Sequence, residues 1–291
     1  MTTSIQRIAV DGVDVFYREA GNASAPHVVL LHGFPSSSHQ YRNLIPILAE
    51  KYHVVAPDLP GFGFTDVPDE RNYKYTFENI ANTIGEFLSA LKITKFAVYI
   101  FDYGAPTAFR LALTRPDLTI TGIISQNGNA YEVGLGGFWE PLKKYWKDNT
   151  KENRDALRPF FTMDVTKSQY FGGVSEDRAS KIQPEAYYLD QALLDRPGNN
   201  EIQLDLFYDY RTNVELYPQF QAYLKSKKVP VLAVWGKNDP IFIPPGAEAF
   251  KQDNSEAIVK LYDTGHFALE SHLEEISQDI LAFLETNVKN A

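Results

Sequence analysis

The sequence predicts an α/β protein: a mostly parallel central sheet flanked by helices and interrupted by an inserted helical lid. Three observations predict it. Apolar runs of the kind buried on both faces recur along the chain as "HVVLLHG", "YHVVAPDLPG", "KFAVYIFDYG", "ITGIISQN", "VPVLAVWG" and "AIVKLYD", as expected of strands in a covered parallel sheet. Between the second and third runs, Phe77, Ile80, Ala81, Ile84, Phe87, Leu88 and Leu91 keep helical spacing, which makes one apolar stripe on a helix. Between Ala130 and about Leu224 the strand-like runs stop, and polar, aromatic-rich stretches such as "FWEPLKKYWKDN" take their place.

Taken in order, "VDVFYREA" alternates like a half-buried antiparallel strand and enters the sheet at an edge. The buried runs follow, with helical segments between them, and strand alternating with helix is the pattern of a parallel sheet. The interruption divides the chain into a core over residues 1–129, a lid over 130–226 and a second part of the core over 227–291. The lid segment holds nine of the 17 tyrosines, which suits either the roof of a cavity or simple packing of lid on core. "GFGFTD" at 61–66 lacks the third glycine and the helix context of a phosphate loop, and reads as the turn after a strand.

Composition narrows the function. The chain has 291 residues, 44% of them hydrophobic, no cysteine and a net charge of −9. Disulfides, thiolate catalysis and cysteine-based metal sites are excluded. The negative charge, with no lysine or arginine block to offset it, argues against a nucleic-acid partner. No apolar run approaches the ~20 residues of a membrane-spanning helix, and "MTTSIQR" lacks the apolar block of a secretory signal. A cytoplasmic protein is expected. No histidine-carboxylate spacing suggests a metal, and no cofactor is expected.

The most informative stretch is Phe101-Asp102-Tyr103-Gly104-Ala105, where a strand passes through a tight turn into a helix. Such an elbow exposes its central side chain and aims backbone N–H groups at whatever that side chain attacks. Pro106 fits the first helical turn, where no intrahelical N–H is needed. The central residue is an aspartate, and no G-x-S-x-G occurs elsewhere. A carboxylate with an ordinary pKa near 3.9 is already ionised at neutral pH and needs no base to become a nucleophile. It is poor against esters and amides, because attack would form an anhydride while expelling a more basic group. Attack on an sp³ carbon bearing a strained or good leaving group gives a stable alkyl ester instead.

With "HGFP" (32–35), "APDLPGFGFTD" (56–66), "FDYGAP" (101–106), "WGKNDP" (235–240) and "DTGHF" (263–267) in this order, nearly the whole chain resembles the α/β-hydrolase fold. Within that fold it resembles the epoxide hydrolase and haloalkane dehalogenase branch, whose nucleophile is an aspartate. The resemblance implies Asp102 as nucleophile, His266 as the base that activates water, and Asp239 as the acid orienting it. Some dehalogenases take that acid from the strand after the nucleophile helix, but the residues there are Gln126 and Asn127, which cannot serve. It also implies an oxyanion hole from the backbone N–H groups of Phe34 and Tyr103, with Gly33 and Pro35 shaping the loop and a cis bond before Pro35 in relatives. His272 falls in the terminal helix and is expected at the solvated surface.

The leaving group divides the branch. Dehalogenases resemble one another in a tryptophan after the nucleophile and often an asparagine in the H-G-x-P loop, where this chain has Tyr103 and Phe34. Trp139 and Trp146 could still supply one donor. Epoxide hydrolases use two lid tyrosines; "DYRTN" (209–213), interrupted by Thr212, nominates Tyr210, and "SQYFGGVSE" nominates Tyr170. Phe101 stands where relatives mostly have histidine. The expected activity is opening of a small apolar epoxide by water to a vicinal diol. The alternatives are haloalkane dehalogenation and a non-catalytic ligand-binding member of the fold.

Overall fold

The structure is a computed structural model and describes residues 2–288. Eight strands form one sheet: β1 (Ser4–Val10), β2 (Val13–Ala20), β3 (His27–Leu31), β4 (His53–Pro57), β5 (Lys95–Phe101), β6 (Thr119–Gln126), β7 (Val231–Gly236) and β8 (Ile258–Tyr262), in the order β1-β2-β4-β3-β5-β6-β7-β8. From β4 to β8 all pairings are parallel, while β2 is antiparallel to both β1 and β4. Helices of eight or more residues are α1 (Phe77–Ala90), α2 (Gly104–Thr114), α3 (Glu140–Lys147), α4 (Met163–Phe171), α5 (Pro184–Leu194), α6 (Asn199–Asp209), α7 (Arg211–Lys227), α8 (Pro245–Asp253) and α9 (Leu273–Asn287).

The continuous apolar runs became the central strands, because helices cover both faces of the sheet and leave no solvated side to select polar residues. β4 and β7 are buried at every position, and β5 at every position after Lys95. Two strands depart from the expected pattern. β1, of mixed polarity and without a buried residue, was not anticipated; it pairs with β2 through a two-residue turn at Asp11 and Gly12, both with positive φ, the geometry that favours this hairpin. β8 ends the sheet at the opposite edge, with Ile258 and Leu261 exposed, so its apolar run is only half covered.

The apolar stripe of α1 packs as its spacing requires: Phe77, Ile80, Ala81, Ile84, Phe87 and Leu88 are buried and Leu91 partly so. Thr76 caps the helix by accepting from the Asn79 N–H, a contact worth about 1 kcal/mol. Between β6 and β7 the described residues form helices α3 to α7 and shorter helical turns, with no strand.

The sheet order brings distant residues to one edge. β3 lies between β4 and β5, so the connections from β3 and from β5 diverge there. At such a switch point the carboxyl ends of neighbouring strands open a crevice. Leu31 of β3 is in register with Ile100 of β5, and Gly236 of β7 with Tyr262 of β8. The loops that follow β3, β5, β6, β7 and β8 therefore converge at one end of the sheet.

Close packing at this edge depends on Gly104, where an added Cβ would lie 2.1 Å from the Leu31 carbonyl oxygen. Backbone cannot swing aside as a flexible side chain can. Gly104→Ala should destabilise the protein by about 1–3 kcal/mol, read as a lower denaturation midpoint in urea; an unchanged midpoint would refute this tight contact between β3 and α2.

Candidate active site

Asp102 follows β5 directly and has φ of +47°. This left-handed conformation is rare for a residue with a Cβ, and the turn it makes sends the side chain outward before α2 begins. Gly33 lies against it: an added Cβ there would sit 2.2 Å from Asp102 Oδ1 and 2.5 Å from the Tyr103 nitrogen. The Phe34 N–H donates to Asp102 Oδ1 at 2.7 Å, and the Tyr103 N–H is also directed at the carboxylate. The Phe34–Pro35 bond is cis.

The loop carrying Phe34 is braced from behind by the two conspicuous motifs around it. His32 Nε2 accepts from the Leu59 N–H at 2.9 Å, and its Nδ1 faces the Gly33 carbonyl at 3.1 Å. Accepting at Nε2 and donating at Nδ1 defines a neutral tautomer, in keeping with burial, which pushes this imidazole below its ordinary pKa. Asp58 accepts from the backbone N–H groups of Ser38 and Phe64.

His266 and Asp239 come from the loops after β8 and β7. His266 Nδ1 lies 2.8 Å from Asp239 Oδ2, while its Nε2 lies 4.0 Å from Asp102 Oδ2 and has no hydrogen-bond partner. That separation is too long for a direct hydrogen bond. Asp239 also accepts from the Ile241 N–H at 2.7 Å and from Asn127 Nδ2 at 2.7 Å. Asn127 in turn accepts from the Gly236 N–H at 3.0 Å, and Gln126 donates to the His266 carbonyl at 3.1 Å.

Gln126 and Asn127, set aside in the sequence because neither is an acid, thus hold the acid and the histidine in place. The available signal was position: both stand at the carboxyl end of β6, the strand after α2, where an amide can donate to a neighbouring loop. Phe101, in the position before Asp102, lays its ring 4.6 Å from the His266 imidazole. His272 is not at the solvated surface. It is buried at the start of α9, with Nδ1 2.9 Å from Ser271 Oγ.

Burial sets the electrostatics. It pushes the Asp102 carboxyl up to about 6, against the opposing pull of the His266 charge and of the two N–H donors. Burial by itself would lower His266, but the Asp239 charge and hydrogen bond, with the Asp102 charge, outweigh it and leave the imidazole above its ordinary value. Such a group is poised to take a proton.

Above Asp102 lies a cavity of about 20 Å³, room for about one water molecule. Its apolar walls are Phe34, Phe138, Trp139, Leu142, Phe207 and Ile241. Tyr210, fully buried, packs its ring 4.4 Å from Trp139, 5.5 Å from Phe77 and 5.8 Å from Tyr103. Its hydroxyl lies 3.2 Å from that of Tyr217, which accepts from Asn129 Nδ2 at 3.3 Å. Burial and the neighbouring tyrosine, with the Asp102 charge, hold Tyr210 well above its ordinary pKa.

The "DYRTN" segment anchors Tyr210. Asp209 accepts from the Phe77 N–H at the start of α1, and Thr212 and Asn213 accept from Arg110 of α2. The interrupting threonine therefore accepts one of the two Arg110 hydrogen bonds that tie α7 to α2. Tyr170 points elsewhere: its hydroxyl donates to Asp190 at 2.5 Å and its ring stacks on Phe267 at 4.0 Å. The structure does not bring it to Tyr210. Tyr217, which sequence reading missed, sits one helical repeat of seven residues beyond Tyr210, on the same face of α7.

The indole N–H groups of Trp139 and Trp146 donate to the carbonyls of Ile241 and Phe207 at 2.8 and 2.7 Å. The third tryptophan, Trp235, donates to the Phe242 carbonyl at 2.7 Å. Among the described residues no group of three or more histidine, aspartate or glutamate side chains is placed to hold a metal ion, and no helix is long and apolar enough to cross a membrane.

The histidine's basicity rests on Asp239. Asp239→Asn removes its charge, so the His266 pKa should fall below that of the unaltered protein, measured by following the imidazole resonances by NMR across pH. An unchanged or higher pKa would refute the assigned cause.

Known proteins resemble this chain at several levels. An uncharacterized hydrolase of Saccharomyces cerevisiae is 50% identical over 281 residues, covering 95% of each chain. A haloalkane dehalogenase of Bradyrhizobium diazoefficiens is 39% identical over 113 residues, 39% of this chain and 36% of the relative. A solved structure of a mutant epoxide hydrolase from Solanum tuberosum superposes with a TM-score of 0.76, covering 98% of this chain and 100% of the other at 22% identity, a likeness of fold. The alpha/beta hydrolase fold family matches residues 26–273. A match over that span, on a sheet with this strand order, means that the chain belongs to the alpha/beta hydrolase fold family, related to epoxide hydrolases and haloalkane dehalogenases.

Proposed function

We propose that the protein hydrolyses epoxides to vicinal diols through a covalent ester on Asp102. The observation that carries this reading is the division of labour between the two oxygens of Asp102: Oδ1 is held by the Phe34 N–H, and Oδ2 faces His266 Nε2 across 4.0 Å. Oδ2 attacks an epoxide carbon, the carbon–oxygen bond of the ring breaks, and the released alkoxide takes a proton. Oδ1 becomes the carbonyl oxygen of the ester. His266 then removes a proton from water, the hydroxide adds to the ester carbon, and negative charge gathers on Oδ1, which already accepts from the Phe34 N–H. On collapse the ester carbon–oxygen bond breaks, the departing alkoxide takes the proton held by His266 to complete the diol, and the carboxyl left on Asp102 gives its proton to the Tyr210 phenolate, which restores the carboxylate.

Esterification also changes the base. The Asp102 charge is one of the influences raising the imidazole. Its loss in the ester removes that influence and lowers the His266 pKa, which favours the proton-free imidazole when a base is needed.

Epoxide is favoured over halide by where the polar hydrogens are. A halide needs N–H donors beside the nucleophile, and all three indoles are committed to backbone carbonyls. An alkoxide needs a proton, which the Tyr210 hydroxyl can give. With Tyr217 accepting from Asn129 and donating to Tyr210, the Tyr210 proton is left for substrate. In this reading the helical insertion acts as a lid, and the small cavity requires it to give way before substrate enters.

Two outcomes test the reading. His266→Gln should accumulate an adduct on the peptide containing Asp102 after incubation with styrene oxide, seen by mass spectrometry as the added mass of the epoxide; no adduct from any epoxide would sink the covalent mechanism. Alkylation needs the ionised carboxylate, and Asp102 is raised to about 6. In this variant the His266 charge that opposes the rise is gone, so adduct formation should increase with pH through a midpoint at or above about 6, with a rate about tenfold below the plateau at one pH unit below that midpoint. A rate independent of pH between 5 and 7 would contradict it.

A further inference from the structure

Gln169 of α4 lines the cavity above Asp102, is 5% exposed, and has no hydrogen-bond partner for either Nε2 or Oε1. A buried amide with both its donor and its acceptor unmet is costly and rare in folded proteins. The rest of the insertion's contribution to this cavity is apolar, supplied by Phe138, Trp139, Leu142 and Phe207. By contrast, the neighbouring buried polar groups of the insertion are paired: Thr166 donates to Gln191, Gln191 donates to the Phe161 carbonyl, and Tyr170 donates to Asp190. Gln169 is thus an open hydrogen-bonding group inside the same pocket as Asp102.

We infer that Gln169 selects the substrate, binding a neutral hydroxyl carried next to the electrophilic carbon, so that the preferred substrates are small epoxy alcohols rather than hydrocarbon epoxides. This rests on the proposed epoxide chemistry. A hydroxyl can donate to Oε1 or accept from Nε2, so it meets an amide in either orientation. A carboxylate on the substrate would be repelled by Asp102, and an apolar group would leave the amide unpaired. A site built to hydrogen-bond a substrate hydroxyl discriminates strongly against the analogue that lacks it.

The test compares isosteric pairs in the His266→Gln background, reading the rate of Asp102 alkylation by intact mass. Glycidol is compared with 1,2-epoxybutane, and 3-bromo-1-propanol with 1-bromobutane, each ratio divided by the corresponding ratio for free acetate. The corrected preference for glycidol should be at least tenfold, and Gln169→Met, which keeps length and removes the amide, should reduce it at least tenfold. A corrected ratio near one in the His266→Gln protein overturns the inference without needing any Gln169 variant, and leaves the epoxide reading intact. Equal slowing of both epoxides by Gln169→Met also overturns it, because that is what a packing role would do. If only the bromides alkylate, the epoxide reading fails and the bromide pair decides on Gln169 by the same ratio. If none of the four alkylates Asp102, both fall.

Discussion

The carboxyl end of this sheet is organised around one strained residue. Asp102 sits in the left-handed region at the end of β5, a conformation that costs on the order of 1–3 kcal/mol and persists only where the surroundings over-determine it. They do so here. Gly104 lets α2 press against the Leu31 carbonyl, Gly33 lets the β3 loop pass within contact of the carboxylate, and the Phe34 N–H holds Oδ1. None of these contacts would form if β3 and β5 were not neighbours in the sheet, so the strand order itself is part of the site.

A second constraint is the burial of three ionisable groups together. Asp102, Asp239 and His266 are all within a few per cent of full burial, where an unpaired charge is expensive. Asp239 is satisfied by the Ile241 N–H, the Asn127 amide and the imidazole. Asp102 is less well supplied and shows it by rising toward neutral pH. The same burial that raises this carboxyl strengthens every donor aimed at it. In the proposed mechanism the charge moves from carboxylate to oxyanion and back without leaving the reach of those two N–H groups.

The aromatic residues of the insertion serve less as donors than as walls. With its indoles tied to carbonyls, the insertion is fixed by its own polar hydrogens, and tyrosine hydroxyls remain near Asp102. The Arg110 contacts to Thr212 and Asn213 extend this bracing from α2, so that the helix following Tyr210 and the helix following Asp102 are linked directly.

Much of the core was legible because strand burial on both faces leaves uninterrupted apolar runs. Asp102 was legible because a carboxylate at a strand-turn-helix junction stands out in a position more often held by serine. The strand-ending loops carrying Asp102, Asp239 and His266 could be named from order along the chain. Edge strands were harder: β1 mixes polar and apolar residues without a buried position, and β8 keeps apolar residues, Ile258 and Leu261, that stay exposed at the sheet edge. Within the insertion the sequence determined helices but not their phase. Tyr170 was a candidate by the resemblance of "SQYFGGVSE" to a family stretch, yet on α4 successive side chains are turned by about 100°, and packing against Phe267 turned Tyr170 away and its neighbour Gln169 into the cavity. Asn127 offered only its position at the end of β6, because its partner Asp239 lies 112 residues away, and Tyr217 only its seven-residue spacing from Tyr210. Local periodicity and turn chemistry alone determined the elements and the position of Asp102 at the elbow; only tertiary packing decided which face of each helix, and so which polar group, lines the cavity.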